Sequence, residues 1–244
     1  MTEREALKEH FNTVATLKGQ SYEDRRWGGG EREKQQKITT EAFITQEALP
    51  YLGHPTSIIE LGPGPGTWTR LLAKAFPESS VTLTDISKEM LLQAKQTTSF
   101  PDTVVTVEGE FLESNLPQNA FEAFFSSRAL EYVSDKRGAA KKILSLLEKG
   151  GRGCVITKTP KKMADLFMGR KRSSRHKGQI TPSALVALLQ EAGAVEIKLY
   201  PVTVSFPFFK SAKADMWLHG LLKKQLTPLS SLFSESYAVL FSKP

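Results

Sequence analysis

Cysteine is almost absent from the chain. Cys154 is the only one in 244 residues, so no internal disulfide can form. Histidine is scarce too, with four in the chain and no clustering with cysteine, so no metal site is expected. No apolar run approaches the ~20 residues needed to cross a bilayer. The opening "MTEREALKEHFNTVATLKGQ" is charged and lacks the apolar centre of a secretion signal. A soluble chain in a reducing cytoplasm is the expectation. Internal repeats and low-complexity tracts are also missing, so organisation must come from alternating strand and helix signals.

What is plentiful is positive charge, a net +7. It could draw nucleic acid, anionic lipid or a phosphorylated metabolite, but solubility alone accounts for as much. With 40% hydrophobic content, the length suits one well-filled core rather than two. The expected division is an N-terminal helical segment over 1–55, part of which suits a lid. A single α/β domain then runs over 56–244, with insertions on the substrate side at about 159–180 and 206–232.

Short β-branched and apolar runs recur at Thr56–Leu61, Ser80–Ile86, Asp102–Glu108, Ala120–Ser127 and Gly151–Lys158. Helical patterns separate them. Ser87 can cap the segment "KEMLLQAKQ", "DKRGAAKKILSLLEKGG" closes on glycines, and "TPSALVALLQEAGA" offers Thr181 as cap and Pro182 in its first turn. The stretch Glu31–Leu52 reads as an amphipathic helix. Strands alternating with helices imply a mostly parallel sheet covered on both faces. The tail breaks that rhythm: "VEIKLYPVTVSF" and "ESYAVLFSKP" read as two strands without an ordinary crossover, which predicts an antiparallel strand inserted late.

The sharpest local feature is "IIELGPGPGTWTRLL", Ile58–Leu72. Gly62, Gly64 and Gly66 let a ligand approach the backbone, and Thr67 can cap the helix that follows. In an open parallel sheet this corner lies at the carboxyl end of a strand, where ligands bind. A dinucleotide would prefer the spacing G-x-G-x-x-G with phosphate-ready amides. Here Thr67 stands where the third glycine would fall, and Pro63 and Pro65 remove two amide donors. A ligand without phosphates fits better. Asp85, nineteen residues past Gly66, ends the second strand, where a carboxylate can accept both hydroxyl protons of a ribose.

Together these residues resemble the class I S-adenosylmethionine-dependent methyltransferases. The resemblance rests on Glu60-Leu61-Gly62-Pro63-Gly64-Pro65-Gly66, on Asp85, and on "VEGEFLESNLPQNAFEAFFSSRALEYV". It implies a Rossmann-like, doubly wound, mostly parallel seven-stranded sheet with an antiparallel last strand and helices on both faces. It also implies S-adenosyl-L-methionine as cofactor, with Glu60, Gly62, Gly64, Gly66, Asp85 and Ile86 in its site. Glu110, where aspartate is commoner in the family, accepts from the adenine amino group. Phe111 contacts the ring, and the chain at Ser127 lies beside the methionine part.

Methyl transfer from a sulfonium is an in-line displacement that needs a positioned acceptor more than a catalytic triad. A general base is needed only where the acceptor must lose a proton. Tyr132 and His176 are the candidates, and each also reads plainly: a packed aromatic and a solvated loop residue. The expected acceptor is a small molecule, apolar or anionic. Aromatic residues around Gly28–Gly30 suit a lid or a linker. The run Lys158–Lys177, with eight Lys/Arg against Asp165, suits phosphate, RNA, lipid or plain solvent. In the last insertion Ala214, Trp217, Leu218, Leu221 and Leu222 share a helical face that reads first as packing on the sheet. A pocket roof, with Phe206, Phe208, Phe209 and Trp217 around an apolar acceptor, is second, and peripheral membrane contact is third.

Two other functions compete. An RNA methyltransferase or RNA-binding protein would use the basic run, yet the aromatic sheet signatures of single-strand readers are absent. A nicotinamide oxidoreductase would need phosphate-ready amides and a Tyr-x-x-x-Lys pair; Tyr132 and Lys136 have the spacing but open a helix.

Overall fold

The computed structural model describes residues 2–17, 21–97, 104–160, 178–205, 211–222 and 233–244. It contains a seven-stranded sheet of order β3-β2-β1-β4-β5-β7-β6. The strands are β1 (Ser57–Leu61), β2 (Ser80–Asp85), β3 (Val104–Glu108), β4 (Phe121–Ser127), β5 (Leu147–Lys158), β6 (Val195–Val204) and β7 (Ser234–Ser242). All neighbouring pairs from β3 to β5 are parallel, and β7 runs antiparallel to both β5 and β6. The expected late antiparallel strand is therefore present, wedged between β5 and β6.

Helices cover both faces because the strands are apolar on both. Along β4, Phe124 faces one core with Ile59, Ile143, Val155, Leu189 and Val239. Its neighbour Phe125 faces the other, with Ile44, Ile58, Leu72, Cys154 and Ala238. The period-two alternation of a strand sends successive apolar side chains to opposite cores. Helices α7 (Lys136–Leu146) and α8 (Pro182–Glu191) close the first core. Helices α3 (Glu31–Phe43), α4 (Leu49–Leu52), α5 (Thr69–Ala75) and α6 (Lys88–Thr97) close the second.

Several local expectations need correction. The helix read over Glu31–Leu52 exists but is broken by a π turn at Ile44–Ala48. That turn buries Ile44 and Ala48 completely. Helix α7 does not close on Gly150 and Gly151. It ends at Leu146, and the chain turns directly into β5, leaving those glycines for an irregular pairing in which the β4 register shifts between Phe121 and Ala123. A Cβ on Gly151 would come within 3.2 Å of the Phe121 carbonyl oxygen. Nor does Thr67 cap α5, which starts at Thr69 after successive turns.

Two helices open the chain before α3. Helix α1 (Glu3–Thr16) is opened by a reciprocal capping box between Thr2 and Glu5, and α2 (Tyr22–Trp27) by one between Ser21 and Asp24. Helix α9 (Ala212–Leu222) lies near α3 and β6. Its buried side carries Asp215 and Leu218, while Trp217 and Leu221 are exposed. The face expected to pack on the sheet is thus rotated. The reason is Asp215, drawn inward to within 3.4 Å of the Arg32 guanidinium. No helix among the described residues is long and apolar enough to cross a membrane.

Candidate active site

The strand order reverses between β1 and β4, and the carboxyl ends of these two strands meet there. The Ser126 hydroxyl donates to the Leu61 carbonyl at 3.1 Å. Such a switch point is the crevice where open α/β sheets bind ligands.

The glycine corner rises from this crevice, and its glycines serve different needs. Gly62 has φ +68°, and a Cβ there would lie 2.2 Å from the Ala129 Cβ, so it lets the β1 and β4 loops close on each other. Gly64, at φ +55°, has nothing within 4 Å of its missing Cβ. It presents open backbone to the crevice. Gly66 is pressed against α6.

Two carboxyls converge on this corner. Asp85 ends β2, and its Oδ1 accepts the Ser87 amide at 2.9 Å. Burial pushes its pKa up to about 6, while the amides of Ser87, Gly64 and Ile86 pull the other way. Glu60 is 1% exposed. Burial pushes its pKa up to about 8; the facing Thr69 hydroxyl lowers it and the Asp85 charge raises it further. Its Oε2 makes no hydrogen bond among the described residues. A buried carboxyl with an open acceptor position is ready for a cationic or N–H donor. Glu60, Gly64, Asp85 and Ile86 are therefore brought together.

The expected adenine side lies one strand over. Glu110 follows β3, and its Oε2 accepts the Leu112 amide at 2.9 Å with the Arg4 guanidinium 3.6 Å away. Phe111 turns inward: it is 3% exposed and meets the Phe124 ring at 6.3 Å between centroids. Its side chain forms floor and core rather than an exposed face. Ser127, at the end of β4, is 8% exposed, and its Oγ makes no hydrogen bond among the described residues.

The N-terminal helices lie across this rim. Arg4 pairs with Glu113 at 2.6 Å and Lys8 with Glu108 at 2.6 Å. The Ser87 hydroxyl donates to Asn12 Oδ1 at 2.7 Å, and the Phe11 ring meets Tyr132 edge-on at 5.2 Å. Glu23 of α2 pairs with Arg70 at 2.5 Å, and Trp27 packs on Trp68 at 5.9 Å. Tyr132 lies in a short 3-10 turn, Leu130–Tyr132. Desolvation, then the Glu131 charge, pushes its phenol up to about 12. The other base candidate, His176, lies outside the described residues, as do Phe206, Phe208, Phe209 and nearly all of the basic run.

Beside Ser127 lies a small, narrow cleft, lined by Arg26, Trp27, Gln36, Arg128, Lys158 and Glu235 among others. Sequence reasoning missed this wall. Arg128 has φ +67°, a conformation that costs a non-glycine residue on the order of 1 kcal/mol, and no local pattern announces it. The one available signal was its place directly after a strand end at the switch point.

Residues 58–151 match the family model described as "Methyltransferase domain". A malonyl-[acyl-carrier protein] O-methyltransferase from Neorickettsia risticii is 31% identical over 103 residues, 42% of this chain and 39% of that protein. A trans-aconitate 2-methyltransferase from Rhodopseudomonas palustris is 31% identical over 101 residues, 40% of this chain and 36% of the relative. The chain thus spans well under half the length of these curated relatives. Among solved structures, a SAM-dependent methyltransferase from Thermotoga maritima, described as a possible histamine N-methyltransferase, superposes with a TM-score of 0.63. It shares 17% identity and covers 91% of this chain and 98% of its own, a likeness of fold.

Proposed function

We propose that this chain carries a class I S-adenosylmethionine-dependent methyltransferase domain and transfers a methyl group from S-adenosylmethionine to a small-molecule acceptor. The observation that carries the reading is the convergence of Glu60, Gly64 and Asp85 at the switch point. The donor set fits the cofactor: the Asp85 carboxylate suits the ribose hydroxyls, and the unpartnered Glu60 Oε2 suits the ammonium end of the methionine. Glu110 is the acceptor for the adenine amino group, and Ser127 lies toward the reacting end.

Held by Glu60, Gly64 and Asp85, the cofactor would supply an electrophilic methyl carbon for in-line attack by the acceptor. The chain's own task is to align and to exclude water. Helices α1 and α2, tied to the rim by Arg4, Lys8, Asn12 and Glu23, act as the lid over the cofactor. The acceptor enters through the cavity beside Ser127. The relatives' names describe malonyl-[acyl-carrier protein] and trans-aconitate rather than nucleic acids, which favours a metabolite over RNA.

Calorimetry with S-adenosylhomocysteine tests this reading. Wild-type protein binds with a Kd on the order of micromolar, and Asp85→Ala weakens binding by about tenfold or more. Equal affinity in the variant removes the ribose assignment.

A further inference from the structure

We propose that Arg26 and Arg128 form a subsite for an anionic oxyacid group of the methyl acceptor, which makes the substrate a carboxylate- or phosphate-bearing small molecule rather than a neutral apolar one. The inference rests on the methyl transfer proposed above and specifies what that site accepts.

Both guanidiniums line the cavity beside Ser127. Arg26, on α2, stacks over the Trp27 ring at 4.0 Å from its centroid and hydrogen-bonds no acceptor among the described residues. Arg128 reaches in from the end of β4. In its left-handed conformation its backbone N–H donates a hydrogen bond to the Ile156 carbonyl at 2.8 Å. Glu131, 5% exposed by its side chain, engages Arg128 through Nε at 2.9 Å, and no acceptor among the described residues takes the terminal nitrogens. Two guanidiniums on one wall raise the cost of each other's charge, and the single Glu131 carboxylate offsets only one of the two. Burial first, then the Arg128 charge, holds the Arg26 pKa below its ordinary value, while Tyr22, Glu131 and Tyr132 oppose that shift.

The carboxylate on the opposite wall does not neutralise the pair. Glu235 is already engaged by Arg32 at 2.9 Å, Gln36 at 2.5 Å and the Ser205 hydroxyl at 2.7 Å. The buried, unpartnered Ser127 Oγ supplies a neutral donor on the same wall. Planar forks, a hydroxyl donor and excess positive charge match an oxyacid, which accepts charge-assisted hydrogen bonds through several oxygens at once.

Calorimetry on the full chain saturated with S-adenosylhomocysteine tests the subsite with three probes: malonate, inorganic phosphate, and neutral dimethyl malonate. Malonate or phosphate binds at millimolar concentration or better, dimethyl malonate does not, and whichever anion binds more tightly names the oxyacid. Arg26→Gln weakens that anion about tenfold while leaving S-adenosylhomocysteine affinity within about threefold of wild type. Arg128→Gln does the same if the chain folds, and Arg26 alone decides the matter if it does not. Failure of both anions to bind, or equal binding by Arg26→Gln, overturns the subsite. Failure of S-adenosylhomocysteine itself to bind overturns instead the reading on which it rests.

Discussion

Glu60 and Asp85 give the rim a pH signature. Both pKa values lie above the ordinary carboxylate range, to about 8 and about 6, because burial penalises the ionised forms. A folded chain that holds a proton more tightly than the unfolded chain gains stability that is fully present below the unfolded pKa and lost as pH rises through the folded one. Asp85 completes that loss near pH 6, so the stretch from about pH 7 to about pH 9 reports Glu60. The thermal midpoint of the ligand-free protein falls by a few degrees across this stretch, and Glu60→Gln flattens the fall. An unchanged slope in the variant contradicts the buried-carboxyl assignment. These two acids were legible because each sits at a fixed offset from a strand end and a glycine run. Arg26 and Arg128 were not, since their meeting depends on a left-handed backbone and on a helix folded over from the N-terminus. Phe111 was legible as a neighbour of the site but not in its direction, which the Phe124 contact decides.

Helix α1 falls in the segment expected to be helical over 1–55, but its contacts with the rim were not legible. Its residues are charged enough to read as solvated, yet Arg4, Lys8 and Asn12 each find a partner on the rim, and Phe11 finds Tyr132. The Thr2–Glu5 capping box was the available local signal. Exposed ion pairs contribute little each, roughly 0 to 1 kcal/mol, so the lid is held weakly enough to open. The double variant Phe11→Ala with Asn12→Ala loosens it. S-adenosylhomocysteine then dissociates about tenfold faster in stopped-flow measurements, and limited proteolysis cuts residues 2–17 sooner. An unchanged dissociation rate removes the lid from the account. Element boundaries failed elsewhere for a related reason. The α7–β5 junction and the rotated face of α9 are set by Gly151 against Phe121 and by Asp215 against Arg32, contacts remote in sequence.

At the scale of the molecule, the alternation of apolar runs with helical patterns was enough to place a mostly parallel sheet, and the missing crossover before "ESYAVLFSKP" placed the antiparallel strand. Topology is legible when each connection carries its own periodicity. The distribution of charge is not, because the net +7 says nothing of how Glu235 is consumed by Arg32 while Arg26 and Arg128 share the wall beside Ser127. Everything functional depends on the crevice between β1 and β4 accepting an adenosyl sulfonium, and a crystal structure of the complex with S-adenosylhomocysteine tests that most directly. The ribose hydroxyls are expected on Asp85, the amino group toward Glu60 and the sulfur toward Ser127; a rim left empty at saturating ligand, or density bound elsewhere on the chain, contradicts the account.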